Sequence, residues 1–229
     1  YVIGDIHGCV ETLNALLEKI NPTPKDTLWF CGDIVNRGLS SANCIRLIRS
    51  LNNKVVCVLG NHDLYLLAVA SGVIGLPETN DSVKDVLCAD DSQELINWLR
   101  FLPLAHMKKK TILVHAGLFP NWEPNKAILL AKEVTSNLQS DNWKDFIGQL
   151  WGNTPFSWNE DLKGPQRFRA IVNGLTRIRF IDINGKMDFN NKQSPSSIQK
   201  QLLPWFSHPS RLSKGHKIVF GHWSRLGLI

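Results

Sequence analysis

The chain has no Cys-x-x-Cys pair, no low-complexity tract, no internal repeat and no apolar run near the roughly 18 residues a membrane helix needs. The missing thiol pairs exclude the usual structural zinc ribbon. The five cysteines (Cys9, Cys31, Cys44, Cys57 and Cys88) are odd in number, so a disulfide framework is not expected. They read as reduced thiols in a reducing compartment, and the cytoplasm is the expected location. No secretory signal and no membrane contact are expected. Clustered charge is also scarce. Lysines and arginines are dispersed except at Lys108-Lys109-Lys110, which reads as a solvated turn. A non-catalytic nucleic-acid binder built on the +6 net charge is therefore disfavoured, although the charge suits any polyanion.

What is present is enough for a packed core. Of 229 residues, 43% are hydrophobic and 20% charged, which excludes global disorder. The chain reads as one domain over residues 1–229, with an insert at about 120–214. It starts at Tyr1 without Met, and truncation at both ends is expected, more so at the C-terminus.

Strand-like and helix-like runs alternate in the first part. Tyr1–Ile3, Thr27–Cys31 and Lys54–Leu59 have strand character. Val10–Ile20 spaces Leu13, Leu16, Leu17 and Ile20 on one helical face, and Ser41–Leu51 repeats the pattern with Ile45, Leu47, Ile48 and Leu51. Leu64–Ala70 is helical, residues 71–110 are less regular, and a helix near Gln93–Phe101 stops before Pro103. Thr111–Val114 and Lys217–Phe220 are further strands. Within the insert, Asn184-Gly185 inside Arg179–Asp188 reads as a hairpin turn. The βαβα rhythm predicts an α/β fold with mixed sheets layered with helices and a helical and hairpin insert over them.

Five polar clusters follow strand-like runs: Gly4-Asp5-Ile6-His7-Gly8, Gly32-Asp33 through Asn36-Arg37-Gly38, Gly60-Asn61-His62-Asp63, His115-Ala116-Gly117 and Gly221-His222. Strand carboxyl ends share one edge of an α/β sheet, so loops far apart in sequence can meet there. Mixed carboxylate, amide and imidazole donors suit Mn2+, Fe or Zn2+ better than Ca2+, and they are numerous enough for two ions. Two such ions can activate water and clamp a phosphate. Each cluster alone has a structural reading: a turn, a helix N-terminus capped by Asn61, a core histidine at His115, a surface arginine at Arg37. Their joint occurrence favours the metal centre.

The ordered clusters resemble the calcineurin-like metallophosphoesterases, in the branch of Ser/Thr protein phosphatases and symmetrical diadenosine tetraphosphatases. Asp26–Phe30, Glu94–Arg100, Thr176–Phe180, Pro204–Phe206 and Phe220–Trp223 are similar to the bacterial tetraphosphatases in particular. The resemblance implies that Asp5 and His7 hold a first metal, that Asp33 bridges, and that Asn61, His115 and His222 hold a second. It implies catalytic roles for His62 as general acid, Asp63 as the residue orienting its imidazole, and Arg37 as the phosphate-binding arginine. Arg177 and Arg179 become candidates for polyphosphate contacts, with a structural role in the hairpin as the alternative.

The implied reaction is symmetrical hydrolysis of diadenosine tetraphosphate to two ADP by water activated by two divalent cations. Mn2+ is expected first, with Co2+, Fe or Zn2+ as substitutes. RNA with a dinucleoside polyphosphate cap is a second candidate substrate, and no obligate protein partner is expected. The alternative is a Ser/Thr protein phosphatase. Asp63, where protein phosphatases carry Glu, fits the tetraphosphatases. Asn36 departs from both branches, which puts the support of His62 in question.

Overall fold

A computed structural model of the chain describes residues 1–76, 81–195 and 201–227. Three parallel strands come first, β1 (Val2–Ile3), β2 (Thr27–Phe30) and β3 (Lys54–Cys57), in the order β1-β2-β3. Val2 lies opposite Trp29, and Thr27 opposite Lys54. Helices α1 (Val10–Ile20), α2 (Ser41–Ser50) and α3 (Asn61–Ala70) alternate with them. The helical stripe of α1 is narrower than its leucine spacing suggests. Leu13 and Leu17, one turn apart, are buried, but Leu16 is exposed.

Two elements of the irregular stretch were not expected: α4 (Asp81–Leu87) and β4 (Ala105–Lys108). Between them lies α5 (Ser92–Arg100). β4 pairs antiparallel with β5 (Thr111–Val114), and the turn is the exposed Lys108-Lys109-Lys110, with Lys109 at φ 56°. β5 pairs parallel with β9 (Lys217–Val219), completing a second sheet, β4-β5-β9.

Period-two alternation explains how the first sheet is buried on both faces. Leu28, Phe30 and Cys57 point into the large helix-covered core. Trp29, Cys31 and Val58 point the other way and form a separate apolar cluster with Leu113 of the second sheet.

Residues 120–214 carry α6 (Pro124–Gln139), α7 (Trp143–Ile147), α8 (Gly164–Thr176) and a third small sheet, with short 3-10 turns between them. That sheet has β6 (Phe180–Ile181) at its centre, flanked by β7 (Met187–Asp188) and β8 (Leu203–Pro204). The expected hairpin is present: Ile181 faces Met187, and Gly185 takes φ 78° in the turn. Among the described residues no helix is long and apolar enough to cross a membrane.

Candidate metal centre

The loops that leave β1, β2, β3, β5 and β9 meet at one edge of the two sheets. Backbone bonds stitch them together. The Ile6 and His7 amides both donate to the Asp33 carbonyl, at 3.0 and 2.8 Å, and Gly221 N donates to the His115 carbonyl at 2.8 Å. Of seven non-glycine residues with positive φ among the described residues, five sit in these loops: His7, Asp33, Asn36, Arg37 and His222. Left-handed backbone costs energy for such residues and persists only where the surroundings enforce it, a recurrent property of functional sites. Gly60 is the closest approach: a Cβ there would overlap the Asp33 carboxylate.

Asp33 is buried at the centre. Its Oδ1 accepts the His62 amide at 2.8 Å, in the first turn of α3, where the helix dipole favours an anion. Its Oδ2 lies 3.3 Å from His115 Nε2 and 3.9 Å from His7 Nε2. Burial would raise the Asp33 pKa, but the His115 charge and hydrogen bond, with His62 behind them, outweigh it and hold the carboxyl well below its usual range. His115 is the counterpart. Burial would lower it, but the Asp33 carboxylate outweighs burial and brings it up to about 9.

The surroundings of His115 Nε2 indicate what belongs there. Its Nδ1 donates to the Cys31 carbonyl at 2.7 Å, which leaves Nε2 to face the centre. Asp33 Oδ2, Asn61 Oδ1 at 3.2 Å and His222 Nδ1 at 3.1 Å all converge on it. One proton on Nε2 cannot serve three acceptors well, whereas a cation held among four lone pairs satisfies all of them. His222 also has a buried Nε2 without a hydrogen-bond partner among the described residues, and burial lowers its pKa well below the usual value. Among the described residues two donor groups meet the spacing of a metal site, Asp33 with His115 and His222, and Asp33 with His7 and His62. Asp33 belongs to both. Asp5 lies alongside: its carboxylate accepts the His222 amide at 3.0 and 3.2 Å, and its Oδ2 is 3.8 Å from His7 Nε2.

Among the described residues neither donor group includes a thiol. Burial pushes Cys31 and Cys44 up to about 12 and raises Cys57 as well. All five cysteines are unpaired.

One expected pairing is corrected by the structure. Asp63 does not orient the His62 ring. Its carboxylate is fully buried beneath the site and accepts four backbone amides: Gly60 and Asp33 at 2.8 Å, Ile34 at 2.9 Å and Val35 at 3.3 Å. As the third residue of α3 it reaches back to the residue before the helix, so its geometry is that of a cap. Burial and the nearby Asp33 charge raise it to about 7 against the pull of those amides. The side chain at His62 Nδ1 is instead Asn36, with Nδ2 at 3.4 Å and a second contact to the His62 carbonyl at 3.1 Å. The motif position of Asn36 therefore does face the histidine, but with a neutral amide.

Asp63→Ala would strand four buried donors. We expect a stability loss of about 3 kcal/mol or more, with Asp63→Asn milder because one acceptor oxygen remains. Denaturant midpoints measure it, and a loss below about 1 kcal/mol would show that the amides do not depend on this carboxylate.

Two cavities that share Arg37, Asn61 and His62 adjoin the centre, and a third, of about 560 Å3, borders Asp5 and His222 on the β9 side. The smaller of the two, about 360 Å3, is lined by the metal-type residues together with Arg37, Arg179, Lys192 and Arg225. The larger, about 800 Å3, shares Arg37, Asn61 and His62 with it and extends under α8 to Arg177. The structure thus brings Asp5, His7, Asp33, Asn61, His62, His115, His222 and Arg37 together but separates the two hairpin arginines. Arg179 donates to the His222 carbonyl at 3.2 Å, whereas Arg177 is pinned by Asn173 and Asn153, each at 2.9 Å, over the Phe189 ring. Lys192 and Arg225 escaped sequence reasoning because no motif surrounds them.

The model of the calcineurin-like phosphoesterases matches residues 1–178. That covers most of the chain, with every metal-type donor but His222. The chain belongs to the calcineurin-like phosphoesterase family. Curated relatives place it in one branch of that family. A symmetrical bis(5'-nucleosyl)-tetraphosphatase of Aromatoleum aromaticum is 46% identical over 100% of this chain and 84% of its own length. One of Marinomonas sp. is 45% identical over 99% and 83%. A crystal structure provisionally described as a diadenosine tetraphosphatase, 21% identical, shares the fold with a TM-score of 0.55 over all of this chain and 76% of its own. Membership in this phosphoesterase family makes the chain a metal-dependent hydrolase and agrees with the donor sets described above.

Proposed function

We propose that this centre hydrolyses dinucleoside polyphosphates symmetrically, taking diadenosine tetraphosphate to two ADP. The convergence of Asp33, Asn61 and His222 on His115 Nε2, with Asp33 shared by a second donor group, is the observation that supports it. The names of the curated relatives support the substrate and give no support to a protein phosphatase.

When bound, two divalent cations, Mn2+ foremost, supply an activated water and neutralise phosphate charge. Asp5, His7 and Asp33 would hold one, and Asp33, Asn61, His115 and His222 the other. Arg37, at the junction of both cavities, would hold phosphate oxygens through its planar fork. Arg179, Lys192 and Arg225 would meet the phosphates on the metal side, and Arg177 those on the far side. His62 would give its proton to the departing nucleoside diphosphate. Burial lowers its pKa, partly opposed by Asp33, which makes its imidazolium a readier donor but a smaller fraction of the protein at neutral pH. Asn36 would set the ring orientation and Asp63 the loop beneath it. The same basic rim suits RNA ending in a dinucleoside polyphosphate cap, the second substrate class we propose. Unpaired, largely buried cysteines support a reducing compartment, the cytoplasm.

Incubation of diadenosine tetraphosphate with the Mn2+- or Co2+-loaded protein, followed by chromatography of the products, tests the reading. ADP alone is expected. AMP with ATP would place attack on an outer phosphorus and overturn symmetric cleavage.

A further inference from the structure

The 800 Å3 cavity is more than the phosphates require, and its lining differs from that of the metal side. Among the described residues no carboxylate lines it. Its charge is confined to Arg37, at the mouth shared with the metal loops, and to Arg177. The remaining walls mix apolar and aromatic side chains with neutral polar ones such as Ser82, Asn153, Asn173 and Thr176. Leu64 and Tyr65 of α3 form one side, and Leu150 and Trp151, just past α7, form the other. Leu39 in the lining is 74% exposed. Tyr65 and Trp151 are each only half buried, although both rings are large enough to repay burial.

The occupant this cavity fits is therefore flat, apolar on its faces, polar at its edges, and anionic at one end. The end that is anionic must face the metal loops, because Arg37, Asn61 and His62 line both cavities. The volume lies within the range of pockets that enclose a drug-sized ligand. Arg177, which lines only this cavity, is suited to the phosphate that adjoins the base. It is half-buried, held by two asparagine oxygens, and ion-paired to no carboxylate among the described residues, so a phosphate can complete its charge.

We propose that this cavity is the subsite for one nucleoside of the substrate, with its base against Tyr65 and Trp151 and its adjoining phosphate at Arg177. The proposal rests on the hydrolysis of dinucleoside polyphosphates put forward above. On the metal side the 360 Å3 space is lined by acidic and basic groups with Trp223, and a separate cavity of about 560 Å3 borders Asp5 and His222 along β9.

Calorimetric titration of the Mn2+-loaded protein with ADP and, separately, with pyrophosphate tests the subsite directly. ADP is expected to bind at least tenfold tighter. Trp151→Ala should remove most of that advantage, and Trp151→Phe, which keeps a ring, should restore much of it. In steady-state assays Trp151→Ala should raise KM for diadenosine tetraphosphate roughly 10- to 100-fold, the scale of one lost base stack, and lower kcat far less. Tyr65→Ala, read by the same titration, covers the case in which Trp151→Ala does not fold.

Equal binding of ADP and pyrophosphate by the parent protein would overturn the subsite and leave the hydrolysis reading standing. So would a fall in kcat/KM for p-nitrophenyl phosphate, which has no nucleoside, as large as that for the dinucleotide. Conversely, a Trp151-dependent preference for ADP without turnover of diadenosine tetraphosphate would support the subsite and refute the hydrolysis reading.

Discussion

Asp33→Asn is expected to release both cations together and to cost about 10²–10³-fold or more in turnover, the scale of losing a group that stabilises developing charge. Asp33 Oδ1 is committed to the His62 amide, so the asparagine oxygen would stay there. The new NH2 would then take the place of Oδ2, which now lies 3.3 Å from His115 Nε2 and 3.9 Å from His7 Nε2. A donor with no negative charge would face both metal positions. His115 would lose the carboxylate that raises it to about 9, leaving burial to push it toward the neutral form. Elemental analysis of manganese-loaded protein, run beside turnover, decides the matter. If one ion stays at native affinity, Asp33 is not shared between two.

His62→Asn has the second largest expected effect and the opposite signature. The metal content should hold while turnover falls about 10²–10⁴-fold, the contribution of a positioned general acid. The structure makes the test necessary, because His62 stands in a donor group with His7 and Asp33 and could be read as a ligand. Its ring meets the His7 ring edge to face at 4.9 Å, and its Nδ1 is turned to Asn36. A ligand presents a lone pair to its ion, whereas a proton donor must carry hydrogen toward the substrate. Loss of metal in proportion to loss of turnover would make His62 a ligand and leave the departing group without an identified acid.

Much of this was legible in the chain before folding. The parallel strands and their helices follow from hydrophobic spacing, and the donors are recognisable because each cluster directly follows a strand. What spacing does not carry is the partner of each polar side chain. Asp63 follows His62 in sequence, yet its carboxylate turns under the helix to four amides, three of which lie 28 to 30 residues away. α4 and β4 were missed because their patterns are short, and their burial depends on neighbours contributed by other segments.

The amino-acid order by itself determined which groups are available to bind cations and phosphate, and that they emerge at strand ends, because side-chain periodicity and turn chemistry are local. Only the tertiary structure decided how they pair: the His222 amide meets Asp5 across 217 residues, Asn36 rather than Asp63 faces His62, and α8 carries Arg177 into a different cavity from Arg179. The physical reason is that a hydrogen bond or an ion pair depends on distances of a few ångströms between loops, and those distances exist only once the two sheets and the covering helices have packed.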